Sequence, residues 1–209
     1  PMANGDLPAD VYADSFCRLP LPDPEKMDQR GKATYDRLAD PNTKSRVGLQ
    51  GPGTLHLHSA KVSEQATGLN TYLRTEAGFD EAVLELAILV AAREMDSPFE
   101  GAAHEPAAIE AGVAAQTIDV VRFKKPTDGL GETEVLIIEF GRQLFRERRV
   151  DADRFAAARA LFGDRGIVDF VVLMTQYSAT ALVLAAFDMQ PKAGLDFDLP
   201  EGDPDLTED

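Results

Sequence analysis

The stretch DEAVLELAILVAARE, residues 80–94, decides the fold. Asp80 stands where a helix N-cap belongs, and from Ala82 to Ala92 every residue except Glu85 is apolar. The run contains no glycine or proline and no period-two alternation, so it reads as a helix from Asp80 to about Glu94. A helix apolar on all sides is buried on all sides, which requires other elements packed around it.

Working outward, the neighbouring segments also read as helices. Upstream, Ser59 to about Thr75 forms one, stopped by Gly78, and Asp23-Pro24 opens another that runs to about Leu38. Residues 41–53 read as a loop, with Pro41, Gly48, Gly51, Pro52 and Gly53 as breakers. Downstream, Ser97 to Ala111 is closed by Gly112, and a short helix covers Ala115 to Phe123. Glu132 to Arg148 is amphipathic, with Val135, Ile138, Leu144 and Phe145 among its apolar positions. Asp151 caps a helix to Phe162, and Gly166 to about Met189 is long and mostly apolar. No strand alternation appears, so the expected fold is an all-α helical bundle. Its apolar helices outnumber what one subunit covers, so an oligomer is expected.

The expected organisation is a proline-rich extended arm (residues 1–24), a single all-α domain (25–190) and an acidic tail (191–209). The arm has five prolines and could pack on a neighbouring subunit. The last fourteen residues carry seven carboxylates and no basic side chain, which reads as a solvated tail. Over the chain of 209 residues, 21 Lys and Arg face 36 Asp and Glu, for a net charge of −15. That balance argues against nucleic acid and against an anionic membrane surface as partners. Cys17 is the one cysteine, so no disulfide within the chain is expected. The longest uninterrupted apolar run, Leu86 to Ala92, is too short for a membrane span, and no signal-peptide pattern opens the sequence. A cytoplasmic protein is the expectation.

Three residues stand out for chemistry. Glu100 and His104 lie four apart on one helix, so they share a face. A carboxylate beside an imidazole is a general acid/base pair. The competing reading is structural: Ser97-Pro98-Phe99-Glu100 is also a capping box, in which Glu100 would accept the Ser97 backbone N–H. Glu85 is a carboxylate inside the apolar helix, where an unpaired charge costs several kcal/mol. It therefore meets a histidine or cation, with Arg93 and Arg74 as candidates, or carries a raised pKa, or lines a polar pocket. His56-Leu57-His58 is a metal half-site only if a further ligand converges; otherwise it opens a turn or helix. Arg74, following Tyr72, suits a substrate carboxylate or a surface pair.

These residues resemble the carboxymuconolactone decarboxylase family, which includes the alkylhydroperoxidase-D-like proteins. Three stretches carry the resemblance: Gly51-Pro52 with Leu57-His58-Ser59 and Tyr72-Leu73-Arg74; Glu85-Leu86-Ala87-Ile88 with Phe99-Glu100, His104-Glu105-Pro106 and Ala111-Gly112-Val113; and Val168-Asp169-Phe170-Val171 with Tyr177. Together they span roughly residues 45–190. The resemblance implies an alkylhydroperoxidase-D-like helical subunit assembled as a trimer or hexamer, with a site near subunit contacts. The peroxidase branch has a glutamate, a CxxC pair and a histidine four residues after the second cysteine. Here Glu85 and His104 match, while Ser97 and Glu100 occupy the cysteine positions. That departure removes dithiol chemistry and leaves an acid/base constellation.

The resulting expectation is an enzyme without metal or organic cofactor, a decarboxylase of small carboxylated lactones or ring-cleavage products of aromatic degradation. His104, Glu100 and Glu85 would be catalytic, with His58, Arg74 and Tyr72 binding the substrate. The alternatives are a metal-assisted hydrolase or isomerase using His56, His58, His104 and a glutamate, and a non-catalytic oligomeric binding protein. A thiol peroxidase would need an external thiol partner.

Overall fold

The computed structural model describes residues 7–42, 47–191 and 199. Among them the fold is all-α, with eight helices. They are α1 (Gln29–Ala39), α2 (Pro52–His56), α3 (Ala60–Thr71), α4 (Glu81–Glu94), α5 (Pro98–Glu110), α6 (Ala115–Arg122), α7 (Glu132–Glu147) and α8 (Ala152–Ala186). The expected acidic tail lies outside the described residues, apart from Pro191 and Leu199.

The apolar stretch is the axis of the molecule. α4 is N-capped by Asp80, whose carboxylate accepts the Ala82 N–H, and it is buried from Leu84 to Arg93. It packs against α5, α6, α7 and α8. Phe140 of α7 and Phe170 of α8 meet edge to face beside it, and Phe162 stacks on Phe170. At Gly141 the α7 backbone passes so near Val90 and Met174 that a Cβ would stand 2.4 Å from Val90 Cγ1. Glycine there lets α7 settle against both helices.

α8 holds a break that the sequence placed between two helices. Gly163 has φ 72° and ψ 176°, a conformation readily available only to glycine. By length and composition α8 could cross a membrane. In this fold Phe170, Leu173, Met174 and Tyr177 of that helix belong to the bundle core.

Two local expectations are corrected. The helix expected from Pro24 to Leu38 is split into a 3-10 turn (Pro24–Lys26) and α1. Asp28 causes the split: its carboxylate accepts the Gly31 N–H at 2.7 Å and starts a new helix. The arm is not simply extended either. Tyr12 and Cys17 form an antiparallel bridge. The Arg18 N–H donates to the Phe187 carbonyl, and the Gln190 N–H donates to the Phe16 carbonyl. Buried Cys17 joins Leu55, Phe99, Leu184 and Met189 in a small second cluster. The described part of the arm is thus tied to its own chain, at the C-terminal end of α8.

Candidate active site

Each polar side chain of the site is placed by its helix. On α5, Ser97 Oγ accepts the Glu100 N–H and starts the helix. The reciprocal half of a capping box is absent, because the Ser97 N–H donates to the Ala92 carbonyl at 2.8 Å. The Glu100 carboxylate turns inward instead and is 3% exposed. One turn on, His104 is 7% exposed, with Nε2 at 3.5 Å from Glu100 Oε2.

The other ring nitrogen settles the Glu85 question. His104 Nδ1 lies 2.7 Å from Glu85 Oε2, and Arg74 Nη2 donates to Glu85 Oε1 at 3.1 Å. Glu85, 3% exposed, thus meets both a histidine and a cation. Arg93, the other candidate partner, donates to the Arg122 carbonyl and pairs with Asp96. A carboxylate accepts and does not donate, so Nδ1 carries the proton and the ring orientation is fixed. Nε2 is then the nitrogen on the Glu100 side.

A π turn brings Arg74 to this position. After α3 the Ala77 N–H donates to the Tyr72 carbonyl, a five-residue step covering Tyr72–Glu76. Such turns insert one extra residue and shift the side chains that follow. Arg74 Nη1 also donates to the Tyr177 hydroxyl at 2.9 Å. Burial works against the Arg74 charge, but Tyr177 and Glu85 outweigh it and hold its pKa above the usual arginine value. Burial pushes the Tyr177 phenol up, against the opposing pull of Arg74. The Asn70 side chain opposes that rise as well. Because the phenol oxygen accepts from Arg74, its own O–H is left to donate. The Tyr177 and His104 rings meet edge to face, with centroids 5.0 Å apart.

This network borders a cavity of about 300 Å³. One side is built from Arg74, Glu100, Ala103, His104, Gln176 and Tyr177; the other from Arg37 and Leu38 of α1 with Pro52, Gly53 and His56 of α2. Glu85 does not line the cavity and stands behind its wall, bonded to Arg74 and His104.

The expected site residues therefore divide. Glu85, Glu100, His104 and Arg74 come together. His58 and Tyr72, expected to bind substrate, do not line this cavity. His58 is exposed, with Nε2 at 3.0 Å from the Pro20 carbonyl. Tyr72 donates to Asp169 at 3.0 Å, a bond that raises its pKa. The cause is helical geometry: residues two apart face different ways, so Tyr72 cannot share a face with Arg74. Asn70, Arg37 and His56 also line the cavity; the sequence had pointed to neither of the first two, and to His56 only as a metal half-site or a turn start. Asn70 carried a signal, standing one helical turn before Arg74; Arg37 carried none. Among the described residues no group of three or more His, Cys, Asp or Glu side chains is arranged to hold a metal ion. No protein-family model matches the chain, and no curated protein matches it.

Proposed function

We propose that the chain is a cofactor-independent acid/base enzyme in which His104 transfers the proton. The most specific form of the proposal is a decarboxylase of small carboxylated lactones or ring-cleavage acids. The observation that carries it is the relay Arg74–Glu85–His104, which presents an oriented imidazole beside Glu100 on a small cavity. The resemblance to carboxymuconolactone decarboxylases supports the same reading. Assembly as a homotrimer or homohexamer belongs to the proposal, and exposed Val168 and Leu182, fourteen residues apart on α8 beyond the Gly163 break, suit it.

In decarboxylation the bond to the carboxylate carbon breaks and carbon dioxide leaves. The electron pair passes into the conjugated system as an enolate. Protonated His104 gives its Nε2 proton to the carbon, and solvent restores it. In this reading the Tyr177 hydroxyl, which lines the cavity, donates to the enolate oxygen, where stabilisation of developing charge is worth most. Glu85 holds the ring and stabilises its charged form, as a carboxylate behind a catalytic histidine does.

The test is a mass-spectrometric turnover screen of carboxylated lactones and ring-cleavage acids. Wild type is expected to release carbon dioxide, His104→Gln to be slower by about 10²–10⁴-fold. Glu100→Gln keeps the helix start, which depends on Ser97, and is expected to lower the rate as well. Wild-type turnover in His104→Gln overturns the proposal. No turnover by wild type, with His104→Gln merely melting earlier, favours the binding-protein reading.

A further inference from the structure

We infer that Arg37 and His56, on the α1–α2 wall of the cavity, form the subsite that holds a carboxylate of the substrate. The inference deepens the acid/base reading and rests on it for the chemistry that follows binding. Arg74, the cation expected for this task, is committed: its two terminal nitrogens donate to Tyr177 and Glu85. Removing it to a ligand would leave Glu85 buried without its cation. Arg37 is different. It is exposed at the end of α1, lines the cavity, and makes no ion pair or side-chain hydrogen bond among the described residues.

The charge balance of the cavity points the same way. The chain has 21 basic side chains against 36 acidic ones, yet the cavity is lined by two arginines and one carboxylate. With Arg74 held by Glu85, Arg37 is the cation left to meet an anion. His56 lines the same cavity, half-buried, with no hydrogen bond from its ring among the described residues. Burial lowers its pKa from the ordinary histidine value, so near neutral pH it is an uncharged ring with one N–H to donate. A guanidinium fork and an imidazole N–H together satisfy a carboxylate. Leu38, next to Arg37, lies against Gly53 of α2, which keeps the two elements together. The cavity is at the small end of the range for small-molecule sites, about 300–1,000 Å³. It suits a small organic acid rather than a nucleotide-sized ligand.

The subsite is tested by binding, apart from turnover. Full-length protein with ¹⁵N-labelled histidine is titrated with benzoate and with its neutral isostere benzamide. The ring signals of His56, His58 and His104 are followed by NMR. Benzoate is expected to move the His56 signal and leave exposed His58 unmoved. Arg37→Gln is expected to weaken benzoate by about tenfold or more, as loss of a charge-assisted bond does. Arg37→Lys should recover part of that loss, and benzamide should bind all three proteins alike. Arg37 has no bonded partner to lose, so the variants are expected to fold. Absent benzoate binding, binding indifferent to Arg37→Gln, or a response at His58 without His56 overturns the inference. If carboxylates bind this way but no acid is turned over, the subsite stands and the proposed enzyme falls. Turnover that depends on His104 but not on Arg37 gives the reverse.

Discussion

The cavity has two walls built on different foundations. The His104 wall stands on α4, α5 and α8, whose buried residues form the main core, from Leu73 through Phe140 to Tyr177. The Arg37 wall stands on α1, which buries only Leu38, and on α2, which buries only Thr54 and Leu55. Close packing fixes rotamers, so groups that must keep sub-ångström geometry belong on the first wall. The relay Arg74–Glu85–His104 is there. A thinly packed helix can shift at small cost, so groups that meet an incoming ligand belong on the second. On the proposed reading the difference is a division of labour: the core orients the proton, and the margin receives the substrate.

Substitution in each wall tests that division most strongly. Phe170 is fully buried and touches both Phe140 and Phe162. Phe170→Ala is expected to cost about 3–5 kcal/mol, because the enclosed site cannot collapse around the cavity it leaves. Leu38→Ala, on a helix that can settle inward, is expected at or below about 2 kcal/mol, the low end for leucine. Urea unfolding of both variants measures the gap. Equal losses would break the comparison, since α1 would then be as firmly built in as α8.

Glu85→Gln sharpens it next. The amide keeps the volume but offers one neutral acceptor and one NH2 donor in place of two ionised oxygens, so either Arg74 or His104 loses its acceptor. The expected stability loss is roughly 1–3 kcal/mol. In kinetics kcat should fall while KM stays, because Glu85 does not line the cavity. Arg37→Gln should do the opposite and raise KM. If Glu85→Gln raises KM instead, the two walls do not separate orientation from binding.

Much of this fold was legible because its signals are local. Asp80, Ser97 and Asp151 cap helices as their residue types predict, and Gly112 and Gly163 have the positive φ that ends or breaks one. The importance of Glu85 was legible too, since an apolar helix cannot hide a lone carboxylate. Its partner was not. Choosing Arg74 over Arg93 depends on the π turn at Tyr72–Glu76, and an interrupted 3.6-residue period leaves no trace in apolar spacing. Which of His56 and His58 lines the cavity was hidden for a related reason. The motif places them two apart, facing different ways, but only the packing of α2 decides which one meets the cavity. Arg37 was invisible because an exposed arginine on a polar helix looks like any other until a cavity forms beside it.

The smallest effect comes from pH, and here too the walls differ in sign. Tyr177, on the core side, has its pKa raised above the ordinary phenol value by burial. The folded protein keeps this proton where the unfolded chain begins to release it. Its contribution to stability is therefore whole below about pH 10 and is lost as pH rises through the folded value. His56, on the margin, has its pKa lowered by burial. The unfolded chain takes up this proton first, so the contribution is whole above about pH 6.5 and is lost as pH falls. One fully linked proton changes stability by about 1.4 kcal/mol per pH unit; half-buried His56 gives only part of that. Melting curves across pH should show Tyr177→Phe flattening the alkaline limb and His56→Gln flattening the acid limb slightly. If His56→Gln instead changes the acid limb as strongly as Tyr177→Phe changes the alkaline one, the α1–α2 wall is as well desolvated as the core, and its readiness to yield to a ligand must be given up.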